Sequence, residues 1–314
     1  PPDLPQGFAS GFALPQVFPD GAVDVELIRD IAARAEAAGF DSLWTQEQLI
    51  GQAQSIEPIA LLSYVAAVTT RARLGVSILV LPVRSPLTLA KSLASLDVLS
   101  GGRLIAGVGL GGDWDSGAFG VPQGRRVRRF LEVLQAIDAL WREEKPQFEG
   151  EFFQLHGTQM HPKPLQQPRP PIWFGARSEA AIRRAVRHGD GWMGPGSSSS
   201  DAFREHVEGL RRALEQAGRD PATFAISKRV YLAIDDDADR AERRLREWFA
   251  HNYGNEEMAT AVSIWGPPSQ VYERIDELID AGARHLLMNP VFDYEEHIEA
   301  LKHYTGEQWG RPGC

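Results

Sequence analysis

Short runs of apolar and β-branched residues alternate with longer amphipathic segments along most of the chain. In Gly124–Glu144, apolar residues recur at helical spacing, which predicts a helix with one buried face. The same criteria give about eight strand–helix pairs. The predicted strands are Gly7–Leu14, Asp41–Thr45, Arg73–Leu81, Arg103–Gly109, Ile172–Gly175, Gly191–Met193, Phe224–Ile234 and His285–Asn289. The predicted helices are Val23–Ala38, Pro58–Thr70, Pro86–Leu99, Gly124–Glu144, Glu179–Arg187, Asp201–Ala217, Asp236–His251, Ser269–Ala281 and Tyr294–Tyr304.

Eight strand–helix pairs are the number that a TIM (β/α)8 barrel requires. The chain has 314 residues, and such a barrel typically needs ~250 residues plus insertions. We therefore predict one α/β barrel domain over residues 1–314. A doubly wound open sheet is the alternative. Against it, no Gly-x-Gly-x-x-Gly motif follows the first strand, and no acidic residue stands at the distance expected for binding a ribose.

One segment, Lys145–Pro171, breaks the alternation. It is rich in proline and aromatic residues, which is typical of a hairpin and loop inserted into the barrel. Insertions after barrel strands usually shape or cover a site, so we expect this segment to contribute to substrate binding.

Composition narrows the function classes. A formal net charge of −9 argues against nucleic acid or an anionic membrane as a partner. The single cysteine, Cys314, excludes an intrachain disulfide, which fits a reducing compartment. No signal-peptide pattern is present, and the longest apolar stretch, Ser77–Val83, is too short to span a bilayer. A cytoplasmic location is therefore expected. No spacing of His, Cys, Asp and Glu residues suggests a metal site.

The most informative part of the sequence is the β-α-β unit from Arg73 to Asp113. Its second strand opens into the glycine-rich segment Gly107–Asp115, with the sequence GVGLGGDWD. The carboxyl ends of both strands lie on the same side of the predicted sheet, which is where α/β proteins bind ligands. Glycines there let the backbone approach a ring or a phosphate closely. A flexible turn is the alternative interpretation.

A second candidate lies at Phe174–Ser178, where a strand ends and a helix begins. A helix amino terminus offers free N–H groups and about half a positive charge, and Arg177 adds a full charge. This turn therefore suits a phosphate. The alternative is an ordinary Ser178 N-cap beside a solvated arginine.

These features and several others, taken in order, resemble the bacterial luciferase-like oxidoreductases, which use flavin or the deazaflavin coenzyme F-420. The resemblance covers nearly the whole chain, and its ordered set is more specific than any one piece. Besides the β-α-β unit, it rests on Gly7–Gln16, Glu36–Trp44, Phe148–Leu155, His161–Ser178 and His188–Trp192.

The resemblance implies how a cofactor is bound. In this family the strand that matches Ser77-Ile78 carries a bulge, often with a non-proline cis peptide, against one face of the flavin ring. The glycine-rich loop flanks that ring, and an acidic residue at Asp113 can transfer protons. The turn after the next strand holds the phosphate. The implied cofactor-binding residues are Ser77, Ile78, Gly109, Gly111, Asp113, Gly175, Ala176, Arg177 and Ser178.

The chain departs from the family at Glu47-Gln48. The deazaflavin enzymes often have Asp-His there, and the histidine is catalytic in some members. Glutamine cannot shuttle a proton near neutral pH, so no catalytic histidine is carried over. Glu47 is either a catalytic base or a hydrogen-bond partner of a ring or backbone group. Gln48, Trp114 and His161 are candidate substrate residues.

Three functions follow as alternatives. An F-420 enzyme would transfer a hydride between the deazaflavin and a small organic substrate. An FMN enzyme would be a two-component monooxygenase supplied with reduced flavin by a separate reductase. A non-catalytic flavin-binding relative is the alternative of another class. A barrel lyase is disfavoured, since Lys228 lies inside a strand and Lys163 on a loop. The family also implies a homodimer.

Overall fold

The computed structural model describes residues 7–18, 21–51, 54–112 and 117–305. Its strands are β1 (Ala9–Ala13), β2 (Val17–Phe18), β3 (Ser42–Thr45), β4 (Gln54–Ser55), β5 (Arg73–Val76), β6 (Leu79–Val80), β7 (Leu104–Gly109), β8 (Gln147–Glu149), β9 (Gln154–His156), β10 (Ile172–Gly175), β11 (Gly191–Gly194), β12 (Ala225–Ile234), β13 (Ser263–Gly266) and β14 (His285–Asn289). Its α-helices are α1 (Val25–Ala37), α2 (Pro58–Val68), α3 (Pro86–Leu99), α4 (Arg126–Arg142), α5 (Glu179–His188), α6 (Ser200–Gln216), α7 (Ala238–Tyr253), α8 (Glu257–Val262), α9 (Pro268–Asp280) and α10 (Tyr294–Leu301). Short 3-10 turns lie at Leu81–Val83, Gln123–Arg125, Pro221–Thr223 and Lys302–Tyr304.

Eight parallel strands form a closed barrel in the order β1, β3, β5, β7, β10, β11, β12 and β14, and β14 pairs with β1 to complete the ring. Each of the eight is followed by a helix on the outside, so the predicted TIM barrel is confirmed. Strands β6 and β13 add to the barrel beside β7 and β12. Two antiparallel pairs, β2–β4 and β8–β9, lie outside it. Across the described residues, none of the helices is sufficiently long and apolar to cross a bilayer.

Local sequence signals explain where several helices begin and end. Helix α3 starts at Pro86, because a proline at the first helical position needs no hydrogen-bond partner for its nitrogen. Helix α1 starts after Asp24, whose carboxylate accepts a hydrogen bond of 2.8 Å from the Leu27 amide. Helix α7 ends at Gly254, which has a left-handed φ of 65°.

The centre of the barrel is filled by two tryptophans. The rings of Trp44 and Trp173 lie 5.4 Å apart and are both buried. Gly75 on the neighbouring strand β5 makes room for Trp44, because a Cβ atom at Gly75 would lie 2.4 Å from the Trp44 ring. The interior is therefore a packed core, as expected for this barrel.

A buried histidine shares this layer. His285 forms hydrogen bonds through Nε2 to Ser42 Oγ (2.9 Å) and through Nδ1 to Ser227 Oγ (2.7 Å). Burial lowers the pKa of His285 to about 3, because desolvation penalises the charged form. The structure thus places His285 in the core.

The inserted segment contains the expected hairpin, β8–β9, which packs along α4. The loop that follows the hairpin packs against α3 and the start of β7. Gln166 donates to Asp97 Oδ1 (2.7 Å) and to the carbonyl of Leu104 (2.8 Å), the first residue of β7. This part of the insertion therefore covers the amino-terminal end of the barrel, whereas sites in this fold lie at the carboxyl end. The position of this loop does not support the expected contribution of the inserted segment to substrate binding.

The His285 environment predicts how stability depends on pH. The folded pKa of about 3 is below the ordinary 6.5, so the unfolded state takes up the proton first as pH falls. The contribution of His285 is present above pH 6.5 and decreases by up to about 1.4 kcal/mol per pH unit towards pH 3. His285→Gln should remove this part of the slope. Urea unfolding of both proteins at pH 7 and pH 5 measures it, and equal slopes would contradict the assignment.

Candidate functional site

A cleft of about 460 Å³ opens at the carboxyl ends of the barrel strands. It lies between the ends of β5, β10, β11 and β12. Seven of the residues that the resemblance implies for cofactor binding line this one cleft: Ser77, Ile78, Gly111, Gly175, Ala176, Arg177 and Ser178. The structure therefore brings together residues that are up to about a hundred positions apart in the sequence.

A bulge between β5 and β6 forms the floor of the cleft. The peptide bond between Ser77 and Ile78 is cis, as the resemblance implies. The Ile78 side chain lies against two glycines of neighbouring strands. A Cβ atom on Gly109 would be 2.5 Å from Ile78 Cδ1, and one on Gly175 would be 3.0 Å from Ile78 Cγ2. Gly109 and Gly175 thus provide the space that Ile78 occupies, and the bulge presents an apolar surface.

The other end of the cleft is positively charged. Ser178 caps α5 by accepting a hydrogen bond of 3.3 Å from the Ala181 amide, and Arg177 donates to Ser197 Oγ. Arg184, one turn further along α5, also lines the cleft. Among the described residues, Arg184 has no hydrogen-bond or ion-pair partner. Burial lowers its pKa, but a guanidinium keeps its charge near neutral pH. This end suits an anion.

A buried lysine fixes one wall of the cleft. Lys228 of β12 donates through Nζ to the carbonyls of Pro195 (2.6 Å) and Ser198 (2.7 Å). Burial lowers the pKa of Lys228 to about 7, with smaller contributions in the same direction from the neighbouring charges of Arg229 and Arg177. Its amine is occupied by the 195–198 loop, which agrees with the sequence-based argument against a Schiff-base lysine.

A polar group formed by Arg229 and its hydrogen-bond partners marks a second, narrower cavity on the inner face of the barrel. Arg229 lines both this cavity and the main cleft. It donates to Asn289 Oδ1 (2.8 Å) and Gln46 Oε1 (2.5 Å) and lies over the Tyr231 ring. Our sequence analysis missed this group. Alternation along β12 could have shown it, because residues 227, 229 and 231 point to one side of the strand.

Glu47 is engaged in a structural network. Its side chain is 1% exposed and forms an ion pair with Arg84, and it accepts a hydrogen bond of 2.5 Å from the Val80 amide. Burial raises the pKa of Glu47, while Arg84 and the Val80 amide act in the opposite direction. Arg84 also pairs with Glu57 at 2.8 Å. This geometry favours the interpretation of Glu47 as a hydrogen-bond partner that holds the backbone after the bulge.

The remaining candidates are not assembled at the cleft. Gln48 lies on the loop after β3, where its amide packs over Gly51. His161 pairs with Glu144 at 3.1 Å beyond the carboxyl end of α4. Because helices run antiparallel to the barrel strands, that position is at the amino-terminal end of the barrel, so the structure does not bring His161 to the cleft. Asp113 and Trp114 lie outside the described residues.

The cleft fits a flat ring with an anionic tail. The apolar Ile78 surface suits the ring, and the helix amino terminus with Arg177 and Arg184 suits a phosphate. A metal is a poorer fit, since no cluster of three or more His, Cys, Asp or Glu side chains occurs in the part of the chain that the structure describes.

The sequence matches the model of the luciferase-like monooxygenase family over residues 10–285. The chain belongs to this family. It is 30% identical over 292 residues to the F-420-dependent glucose-6-phosphate dehydrogenase of Kineococcus radiotolerans, with 83% of this chain and 86% of that protein covered.

Two solved structures of luciferase-like proteins resemble this fold. An F-420-dependent secondary alcohol dehydrogenase in complex with an F-420–acetone adduct has a TM-score of 0.81 at 20% identity, with 95% of this chain and 98% of that chain covered. The oxygenating constituent of 3,6-diketocamphane monooxygenase from Pseudomonas putida, in complex with FMN, has a TM-score of 0.73 at 20% identity, with 96% and 98% covered.

The family resemblance stated from the sequence is therefore confirmed. This luciferase-like protein is a flavin- or F-420-dependent oxidoreductase, and its cofactor is a flavin or a deazaflavin. Family membership disfavours the non-catalytic alternative.

The Glu47 network yields a test of its role. Glu47→Gln should lower the free energy of unfolding by about 3 kcal/mol, because Arg84 loses the partner with which it is buried. Glu57→Gln is the matched control and should cost about 1 kcal/mol or less, since Glu57 is partly exposed. Urea unfolding measures both. A stable Glu47→Gln protein that has lost its turnover would instead support a catalytic base.

Proposed function

We propose that this protein is an F-420-dependent oxidoreductase that transfers a hydride between the deazaflavin ring and a small organic substrate. One observation carries the proposal. A single cleft joins the apolar Ser77-Ile78 bulge to a helix amino terminus with two guanidinium groups, Arg177 and Arg184. A ring and its anionic tail need these two surfaces in this order.

Two observations favour F-420 over FMN. The tail of F-420 carries carboxylates in addition to its phosphate, so it has more negative charge than the ribityl phosphate of FMN. The cleft offers Arg177 and Arg184 for that charge, and Arg184 has no partner among the residues that the structure describes. In addition, the Kineococcus relative is named as an F-420-dependent enzyme. We therefore propose F-420 as the cofactor of this chain.

The residues of this chain bind and orient the cofactor and the substrate. Ile78 supports one face of the ring, so substrate has access to the opposite face only. When bound, the deazaflavin accepts or gives a hydride, that is, a proton with two electrons. The substrate proton that accompanies hydride loss leaves to a base, and Asp113 remains our prediction for it. Tyr253 and Met258 line the cleft near Arg229 and help to exclude water.

An FMN-dependent monooxygenase is the second candidate. The observation that favours it is the likeness to the FMN-bound monooxygenase constituent from Pseudomonas putida. Such an enzyme would need a separate reductase to supply reduced flavin. The homodimer implied by the family is also a proposal, as is any reductase or dehydrogenase partner.

Cofactor titration tests the proposal. We expect F-420 to bind more tightly than FMN. Fluorescence quenching or thermal shift measures both affinities. Arg184→Gln should weaken F-420 binding by about tenfold or more, because a charge-assisted hydrogen bond is lost. The matched control is Arg183→Gln on the same helix, since Arg183 is exposed and pairs with Glu179.

The outcomes separate the two candidates. Tighter binding of FMN would favour the monooxygenase. Equal weakening by Arg183→Gln and Arg184→Gln would contradict an anion site at α5. Loss of F-420 binding in Ile78→Ala with an unchanged melting temperature would support the bulge as the ring surface.

A further inference from the structure

Arg229 is a buried cation at the junction of the two cavities. It lies on β12, is 8% exposed, and contacts both the main cleft and the narrow cavity. Its Nε and Nη2 atoms donate to Asn289 and Gln46, and its guanidinium lies 4.7 Å from the centre of the Tyr231 ring. A guanidinium has five N–H donors, so several remain for a ligand.

None of the described residues neutralises the charge of Arg229. Both of its hydrogen-bond partners are neutral amides, and no described carboxylate lies within ion-pair distance of it. Arg84 provides the contrast, because it is paired with both Glu47 and Glu57. Burying a cation without a counter-charge is costly. A residue that is kept despite this cost is expected to have a function. An anion from outside the chain would remove that cost.

The guanidinium is also held rigidly. Gln16 donates to the Gln46 carbonyl (2.7 Å) and accepts from the Gln46 amide (2.7 Å), which fixes the residue that binds Arg229. Gln16 itself is 3% exposed and is anchored on the Ile56 carbonyl at 2.6 Å. Support of this kind is typical of a residue that must present its donors in one geometry.

The space beside Arg229 limits the size of the anion. The free volume of the narrow cavity is about 20 Å³, which is room for one or two water-sized groups. Its walls include Leu14, Trp44 and Tyr294. A planar carboxylate matches both this size and the fork of a guanidinium, whereas a phosphate ester is larger.

We propose that Arg229 binds the carboxylate of the substrate, so that the substrates of this enzyme are small organic carboxylates. This rests on the proposed function, because the cofactor would occupy the cleft between Ile78 and Arg184 and leave the Arg229 end for substrate. The anion site at α5 lies at the other end of the cleft and serves the cofactor.

The test compares matched compounds on the full-length protein loaded with F-420. The probes are 2-hydroxycarboxylates, their amides, the corresponding secondary alcohols and glucose 6-phosphate. We expect kcat/KM for a carboxylate to exceed that for its amide by about 100-fold. Arg229→Gln should abolish this preference, and Arg229→Lys should retain part of it. Arg243→Gln, an exposed position on α7, is the control and should leave the preference unchanged.

Cofactor affinity, measured separately, distinguishes the possible failures. Arg229→Gln should change the F-420 dissociation constant by less than about twofold, since the residue serves the substrate. Equal rates with carboxylate and amide, preference for glucose 6-phosphate, or weaker F-420 binding in Arg229→Gln would each overturn the proposal. If the wild-type protein binds no F-420, the proposed function fails. The carboxylate site is then tested alone, by thermal shift with the same acids and amides on wild-type and Arg229→Gln protein.

Discussion

The site depends on one packing constraint, the seating of Ile78 between two glycines. Gly109 belongs to β7 and Gly175 to β10, and any side chain at Gly109 would overlap Ile78. These strands are neighbours in the barrel, so the bulge lies across their ends in this position only while Gly109 has no Cβ atom, and a Cβ atom at Gly175 would make a tight contact of 3.0 Å with it. The apolar floor of the cleft follows from this arrangement.

Much of the fold could be predicted from the sequence. Helix Pro86–Leu99 and strands Ile172–Gly175 and His285–Asn289 have the predicted bounds, because each is a largely apolar segment with a proline, glycine or polar residue at its end. Helix α8 and strand β13 were not predicted, since they are too short to show a period. The position of His161 could not be predicted for another reason: local sequence cannot tell at which end of a barrel a loop returns.

Only part of the candidate site could be predicted from the sequence. The cofactor residues at 77–78 and 175–178 came from the resemblance, and their placement in one cleft is a property of the closed sheet. Arg229 was overlooked because a charge inside a strand is usually assigned to a solvent-exposed face. Its burial depends on Gln46 and Asn289, which are 183 and 60 positions away in the sequence. The overall charge of −9 also concealed that this cleft is lined by arginines.

The two faces of strand β12 have different roles. Lys228 points outward and holds the 195–198 loop, while Arg229, the next residue, points into the barrel. Because successive side chains of a strand face opposite ways, the wall on the cofactor side and the polar group in the barrel mouth are supported independently. Substitutions on the inner face could therefore alter which compounds are accepted during evolution while cofactor use stays the same.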